Sequence, residues 1–485
     1  CPKLQHTHLP TPIMVYYTAF LTQEETMSHK EITWNNLQIP VVGSFDVVII
    51  GGGVSGSACG IRCVNEGLST LIVDKSNLLG GSATRALVCP MMPSYVRHLP
   101  VLSAIEQQLL ASGDATRDDY TTMIWFAPER LGEVYEQLYT TKGGQILYDT
   151  SLVAAVLSDA DDEKTITHVI LASTEGLIAV AAQTWIDASG DAVLSRAAGV
   201  PVAAGDEDGI NQVCSLRFTM GGIDVERYRD YVLSLDDHFS PLVEGYFFES
   251  AMVAGKNFKL EPKFREGIEA GILEEEDLRY YQIFSLPGKP GCMALNCPHI
   301  ASMRKNTSGA ARSNATVEAH ARIRRLVTFL QRMMPGFEQS YLMEQASLLG
   351  VRESWRVEGQ TMLTEEDYVN QVRFDDGLVR GDWYIDVHSN KGGLFHKNTY
   401  KQGDYYEIPF RSMVTKHINN LGVIGRCIST TFLMQASVRI IPTVTDMGDA
   451  MGSACALAKR TETPLAKLDG VAVRAEVEQM KPLNS

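Results

Sequence analysis

Apolar residues fall along this chain in three patterns, each predicting a different kind of element. Val47-Val48-Ile49-Ile50 is a continuous run, as expected of a strand buried on both faces of a parallel sheet. Gly51-Gly52-Gly53-Val54-Ser55-Gly56 follows, and the period then becomes that of a helix beginning near Val54. Leu71-Ile72-Val73-Asp74 repeats the buried-strand pattern, and so does Thr184-Trp185-Ile186-Asp187, which ends in Ala188-Ser189-Gly190-Asp191. The run from Asn420 to Ile424 ends at Gly425-Arg426, so the chain is expected to come back to one sheet after two long excursions. Alternating segments lie between these runs. Gly144 to Tyr148, Ser151 to Leu157 and Ile166 to Ala172, with an acidic turn from Asp159 to Glu163, predict a small antiparallel excursion. Tyr281 to Phe284 and Cys292 to Asn296 predict strands of a second layer.

Helical spacing accounts for most of the rest. Residues 102 to 142 read as helices, one of them started by Ala127-Pro128-Glu129. From about Asn314 to Met334 the residues Val317, Ala321, Leu326 and Leu330 recur at helical spacing until Pro335-Gly336 stops them. The small residues from Thr445 to Ala456 predict a helix packed tightly against a sheet and a ligand.

The chemistry begins at the first glycine run. Gly51 suits a tight turn, Gly53 lets backbone approach a pyrophosphate, and Gly56 lets the helix pack close to the sheet. Val54 and Ser55 then open a helix whose free N–H groups and positive dipole end favour phosphate. Asp74, with Lys75 beside it, stands where a carboxylate accepts hydrogen bonds from an adenosine ribose. A dinucleotide site is therefore expected. Gly80-Gly81-Ser82-Ala83-Thr84 follows the second strand almost at once, which is unusual for a nicotinamide enzyme and suits a second stretch of ligand backbone.

With 485 residues the chain exceeds the size at which single cores stop growing, so two structural domains are expected. Its composition, 45% hydrophobic and 21% charged, excludes disorder, and a net charge of −15 argues against nucleic acid as a partner. No stretch approaches the roughly 20 apolar residues of a membrane span. Nine scattered cysteines, with Cys59, Cys63 and Cys455 in apolar settings, suggest reduced thiols and a cytoplasmic location. Met27-Ser28-His29-Lys30 reads as a start, and residues 1–26 lack the features of a signal peptide.

Taken in order, these blocks resemble the FAD-dependent oxidoreductases of the glutathione-reductase-like nucleotide-binding fold, from about Phe45 to Leu457. Trp185 to Asp191 resembles the family's I-D-A-T-G-D segment with Ser189 for Thr. Leu349-Gly350-Val351-Arg352-Glu353-Ser354, Ile385-Asp386-Val387-His388 and Ile408-Pro409-Phe410-Arg411-Ser412 resemble further family blocks. The resemblance implies an α/β fold. It has a Rossmann-like FAD-binding domain, whose parallel sheet is assembled from discontinuous segments 44–95, 142–205 and 410–465. An α+β substrate domain over 206–409, with a mainly antiparallel sheet, completes it. Residues 1–43 are then an N-terminal extension, 96–141 a helical cover and 466–485 a C-terminal tail.

FAD is the implied cofactor. By resemblance, Gly51, Gly53 and Gly56 serve its pyrophosphate, Asp74 its ribose, and Gly80, Gly81, Ser82 and Thr84 the ribityl chain and flavin. Val153 meets the adenine edge, while Ala188, Ser189 and Gly190 form a second turn over the nucleotide. Gly425 and Arg426 lie by the ribityl chain, and Gly448, Asp449 and Ala450 point a helix N-terminus at the flavin pyrimidine. One departure stands out: many related flavoproteins have Gly-Asp where this chain has Gly425-Arg426, and an arginine cannot accept the ribityl hydroxyl bond.

The implied activity is hydride transfer between a small organic substrate and flavin N5. His388 is the leading acid or base, with a structural role hydrogen-bonded to Asp386 as its alternative. His396 is a second candidate. Arg352 either orients substrate or forms a buried pair with Glu353, and Arg439 precedes the flavin-facing helix. Cys89 is read as packing, and Cys292, Cys297 and His299 as an incomplete and rejected zinc set. An oxygen-activating monooxygenase and a non-catalytic FAD-binding protein are the alternatives. Substrate identity, electron acceptor and any homo-oligomer stay open.

Overall fold

A computed structural model describes residues 31–483 except 118–121, 159–162, 236–241, 244–245, 248–249, 257, 390–392 and 398–399. The Met27 start and most of the acidic turn after Leu157 lie outside the described residues. The main sheet runs in the order Gln145–Leu147, Thr70–Val73, Leu37–Ile50, Gly176–Asp187, Thr165–Ser173, Ser151–Ser158, with Leu421–Val423 also beside Gly176–Asp187. Pairing is parallel through the buried half of the sheet and antiparallel from Gly176–Asp187 outward. Register decides where the site lies. Ile50 pairs with Val73 and with Asp187, and Asp187 pairs with Val423, so four parallel strands stop level with one another. The turns after them meet at one edge, the carboxyl end where open α/β sheets bind ligands.

A second, five-stranded antiparallel sheet joins Ser250–Met252, Tyr281–Ser285, Met293–Leu295, Phe218–Gly221 and Tyr341–Gln345. Phe218, Ile283, Met293 and Leu295 on these strands share a core with Ala319, Ile323, Leu326 and Leu330 of the helix Gly309–Met333. Val317 does not join it. That side chain is 70% exposed, because Ala315 and Ala319 set the buried stripe and Val317 sits between them on the outer side.

Several sequence expectations are corrected. Gln145–Leu147 pairs parallel with Thr70–Val73 and so belongs to the main sheet, outside the antiparallel excursion. The 102–142 region holds helices Pro100–Ser112 and Pro128–Thr140, but also strands Ala115–Arg117 and Ile124–Phe126, whose Trp125 and Phe126 are fully buried. The first sheet strand starts at Leu37 and forms a hairpin with Glu31–Trp34, so part of the supposed extension is sheet. The supposed tail contains the helix Gly470–Glu478, anchored by buried Val473 and Val477. Among the described residues no helix is long and apolar enough to cross a membrane.

Candidate functional site

At the level strand ends, Gly51 takes φ +106° and donates its N–H to Val73 O at 2.8 Å. A Cβ there would stand 2.6 Å from the Ala188 carbonyl oxygen, so only glycine fits the turn. Gly52 N donates to Asp74 Oδ2 at 2.6 Å, and Ser76 donates from N and Oγ to Oδ1 at 2.8 and 2.6 Å. Asp74 thus holds the glycine loop as well as facing the cleft.

Gly53 is the N-cap of the helix Val54–Asn65, with no side-chain cap and no acidic residue in the first turn. Its backbone is ordinary, φ −66° and ψ −177°, and a Cβ would find nothing closer than 3.9 Å. The fold does not require glycine here; the empty space above it does. Orphan N–H groups and a positive helix end facing that space suit a phosphate. Gly56 has a different role, since a Cβ would overlap the Gly51 carbonyl and drive the helix off the sheet.

These turns open on a cavity of about 540 Å³. Gly51, Gly53, Val54 and Ser55 line it on one side, with Asp74 and Lys75 at the strand end. Gly81 and Ser82, Ala188, Ser189 and Gly190, and Gly425 and Arg426 enclose it further, and Arg217, Arg352 and Arg439 line it as well. A larger groove of about 730 Å³ near Asp208 and Arg304 contains none of the candidate residues.

Other candidates lie elsewhere. Gly80 binds the glycine loop through its N–H to Gly52 O at 2.8 Å, and the buried Thr84 hydroxyl donates to Leu79 O at 2.8 Å. Val153 sits at a register shift of the outer strand, 43% exposed and away from the cavity lining. The helix expected to start at Gly448 spans Ile441–Thr461, with Pro442 in its first turn, so Gly448, Asp449 and Ala450 are two turns inside it. Ile441 and Val444 line the cavity instead. Gly448 is needed because a Cβ would overlap Ser55 O of the first helix, and Asp449 binds Arg62 Nε at 2.6 Å and Val101 N at 2.8 Å. Their smallness and charge serve a helix crossing.

The Gly425-Arg426 departure has a counterpart. Arg426 donates to Asp191 Oδ1 at 2.7 Å and to the Val351 carbonyl, and its guanidinium fills the space a Cβ at Gly190 would take. Arg312 forks onto the same carboxylate at 2.7 and 2.9 Å, and Ser354 Oγ donates at 2.7 Å. Burial pushes the Asp191 carboxyl up, but Arg426 and Arg312 outweigh it and hold it well below the usual range.

Deeper in, Arg352 donates to Val213 O at 2.7 Å and Ser215 Oγ at 3.2 Å, and its other arm meets His299 Nε2 at 3.2 Å. It does not pair with Glu353, which instead takes Arg356, Asn211 Nδ2 at 2.7 Å and Gly205 N at 3.0 Å. Arg217 donates to Leu87 O at 3.1 Å, and Arg439 donates to Asp386 O at 3.0 Å and Oδ2 at 3.3 Å. Burial, then Arg439 and Arg217, lowers Arg352 to about 10.

His388 does not line the cavity. Its Nε2 is 3.4 Å from Asp386 Oδ2, its ring meets His299 edge-on at 5.2 Å, and its buried Nδ1 has no hydrogen-bond partner among the described residues. His299 is stacked on Tyr280 at 4.3 Å. Burial, then the charge of Arg352, pushes His388 from 6.5 down to about 3 despite Asp386, so the ring is neutral at pH 7 and the expected titration near neutrality is lost. A folded pKa below the unfolded one means that unfolded chain binds the proton first, so stability falls as pH drops from about 6.5 toward 3. Urea titrations should show His388→Asn losing about 1 kcal/mol less than wild type between about pH 6.5 and pH 5.5; equal losses would contradict a neutral buried ring. His396 pairs with Asp386 across strands, but its side chain lies outside the described residues.

Arg217, Arg312 and Tyr280 escaped the sequence reading, Asp191 entered it only as the end of a turn, and His299 only as part of the rejected zinc set. Of the first three, Arg217 alone left a trace, as a charge inside the apolar Leu216-Arg217-Phe218 alternation. Cys89 is 1% exposed and burial pushes its thiol up to about 12, which suits packing.

A model of the family described as FAD dependent oxidoreductase matches residues 46–477. The probable electron transfer flavoprotein-quinone oxidoreductase YgcN of Escherichia coli is 30% identical over 89 residues, 17% of this chain and 21% of that protein. Solved structures similar in fold include a geranylgeranyl bacteriochlorophyll reductase-like protein from Thermoplasma acidophilum. It is 10% identical with TM-score 0.45, over 91% of this chain and 94% of that one. The p-nitrophenol 4-monooxygenase of Pseudomonas putida is 11% identical with TM-score 0.45, over 91% and 87% of the two chains. The myxobacterial chondrochloren halogenase CndH is 10% identical with TM-score 0.45, over 90% and 78%.

Proposed function

The chain belongs to the FAD dependent oxidoreductase family and is an FAD-dependent enzyme, and from that premise we propose that it oxidises or reduces a small organic substrate by hydride transfer. The observation that carries this reading is the cavity itself. One side is glycine backbone and a free helix end suited to a pyrophosphate; the other carries the buried arginines Arg217, Arg352 and Arg439, with the His299 imidazole behind Arg352.

FAD supplies a two-electron acceptor for a hydride at N5. Gly51, Gly53 and the first turn of Val54–Asn65 would hold its pyrophosphate and Asp74 its ribose. Gly81, Ser82, Ala188, Gly190 and Gly425 would border the remainder. Thr84, Val153, Gly448, Asp449 and Ala450 are withdrawn as contacts, since their groups are spent on packing or lie away from the cavity. The N-terminal turn of Ile441–Thr461 replaces them, because Ile441 and Val444 face the cavity.

In this reading Arg352 and Arg439 orient substrate and offset negative charge that builds during transfer. His388 stands one layer back and acts through Arg352, His299 and Asp386, which makes it a positioning residue. A negative charge entering beside Arg352 would also offset the repulsion that adds to burial in keeping the imidazole neutral.

An anaerobic screen of sugars, polyols, hydroxy acids and amines for flavin bleaching tests the reading. At least one class should reduce the flavin within a turnover time, and His388→Gln should slow that reduction roughly tenfold with FAD content unchanged. A flavin that no substrate reduces, but that reacts with oxygen after chemical reduction and yields hydroxylated product, would overturn it in favour of a monooxygenase.

A further inference from the structure

Resting on the reading that substrate enters beside Arg352, we propose that the substrate is a small organic dianion, a dicarboxylate, clamped between Arg217 and Arg352. Both guanidiniums line the cavity, and both are buried, 8% and 9% exposed. Their partners are neutral: the Leu87 carbonyl for Arg217, and the Val213 carbonyl, the Ser215 hydroxyl and His299 for Arg352. Three other guanidiniums of the same cavity each have a carboxylate partner. Asp191 takes Arg312 and Arg426, and Asp386 takes Arg439.

A buried guanidinium without a carboxylate is costly. Burial lowers both Arg217 and Arg352, and Arg439 adds repulsion to each. The fold retains both, and the two imidazoles beside them carry no charge at pH 7 to add to or cancel theirs, because burial and Arg352 push His299 and His388 down. Among the described residues Arg217 and Arg352 are therefore the two buried guanidiniums of the cavity with no carboxylate partner, and a ligand can supply one to each. Each planar fork matches a carboxylate. The phosphates of FAD already have their own end of the cavity, at Gly53 and the helix start.

The test uses holoenzyme with bound FAD and reads the perturbation of the flavin spectrum as probes are titrated. Malonate should bind saturably, with malonamide, its uncharged counterpart, at least about tenfold weaker. Inorganic phosphate should also be at least about tenfold weaker, since it offers one anionic centre. Arg217→Met and Arg352→Met should each weaken malonate at least about tenfold at unchanged FAD content, and Arg352→Lys should recover part of the loss. The proposal fails if malonamide or phosphate matches malonate, or if both Met variants bind malonate as wild type does. Because the readout needs no turnover, malonate binding to an enzyme that no substrate reduces would leave the dianion site standing and sink only the hydride-transfer reading. If a Met variant loses FAD or misfolds, the malonate affinity of Arg352→Lys and of the other arginine's variant decides the outcome.

Discussion

Gly53→Val should purify as a folded protein that has lost its flavin. The backbone at Gly53 is extended, which a β-branched residue tolerates, and a Cβ there meets no protein atom within 3.9 Å. Exchanging glycine for valine at an N-cap costs the helix about 1 kcal/mol or less, so the fold should persist with little change in its urea midpoint. The added methyls instead occupy the space over the free N–H groups of the first turn, where the pyrophosphate belongs. We expect FAD affinity to fall at least about 100-fold, roughly 2.7 kcal/mol, measured by titrating apoprotein with FAD and by the flavin released on denaturation. Gly56→Val is the contrasting variant. Its side chain would be forced into the Gly51 carbonyl, and it should lose stability and flavin together. A Gly53→Val protein that retains one FAD per chain would remove the pyrophosphate from this turn.

The difference between these two glycines also shows what could be read from the sequence. The run Val47 to Gly56 with Asp74 encodes a local unit, strand, turn, helix and strand, most of whose constraints lie within thirty residues, and the structure keeps each part of it. The returns of the chain at Asp187 and Val423 were legible for the same reason: each is a short apolar run closed by a turn. What depends on distant partners was not. His388 looked like a neutral-pH acid or base until burial and then Arg352 lowered it, whereas Thr84 was lost to a local bond, its hydroxyl donating to Leu79 O five residues back. Arg217, Arg312 and His299 come from separate segments, and only folding brings Arg217 and Arg312 to the cavity and His299 behind Arg352. Small residues around Gly448 suggested ligand contact, but the same composition serves helix crossing, and Pro442 gave the better signal for the helix start.

Asp449 separates the two uses most sharply. Its side chain is fully buried, its Oδ1 receives Arg62 Nε at 2.6 Å, and its Oδ2 receives Val101 N at 2.8 Å. Three segments meet there: the first helix through Arg62, the start of Pro100–Ser112 through Val101, and Ile441–Thr461 itself. Burial pushes the carboxyl up, and Arg62 is the main force that keeps it ionised. Asp449→Asn removes the charge but keeps the shape, leaving Arg62 nearly buried with only Glu66, at 3.3 Å and 36% exposed, to offset it. Removing one partner of a buried pair costs about 3–5 kcal/mol, and the Glu66 contact places this case near the lower bound. A crossing held by Gly448 against Ser55 O and by Gly452 against the Arg62 stem has no slack to absorb the unpaired charge. Urea unfolding of the holoenzyme should therefore show a lower midpoint with an unchanged slope, while FAD content per folded chain and the flavin spectrum stay as in wild type. An Asp449→Asn protein of normal stability that loses FAD would return this residue to the cofactor site.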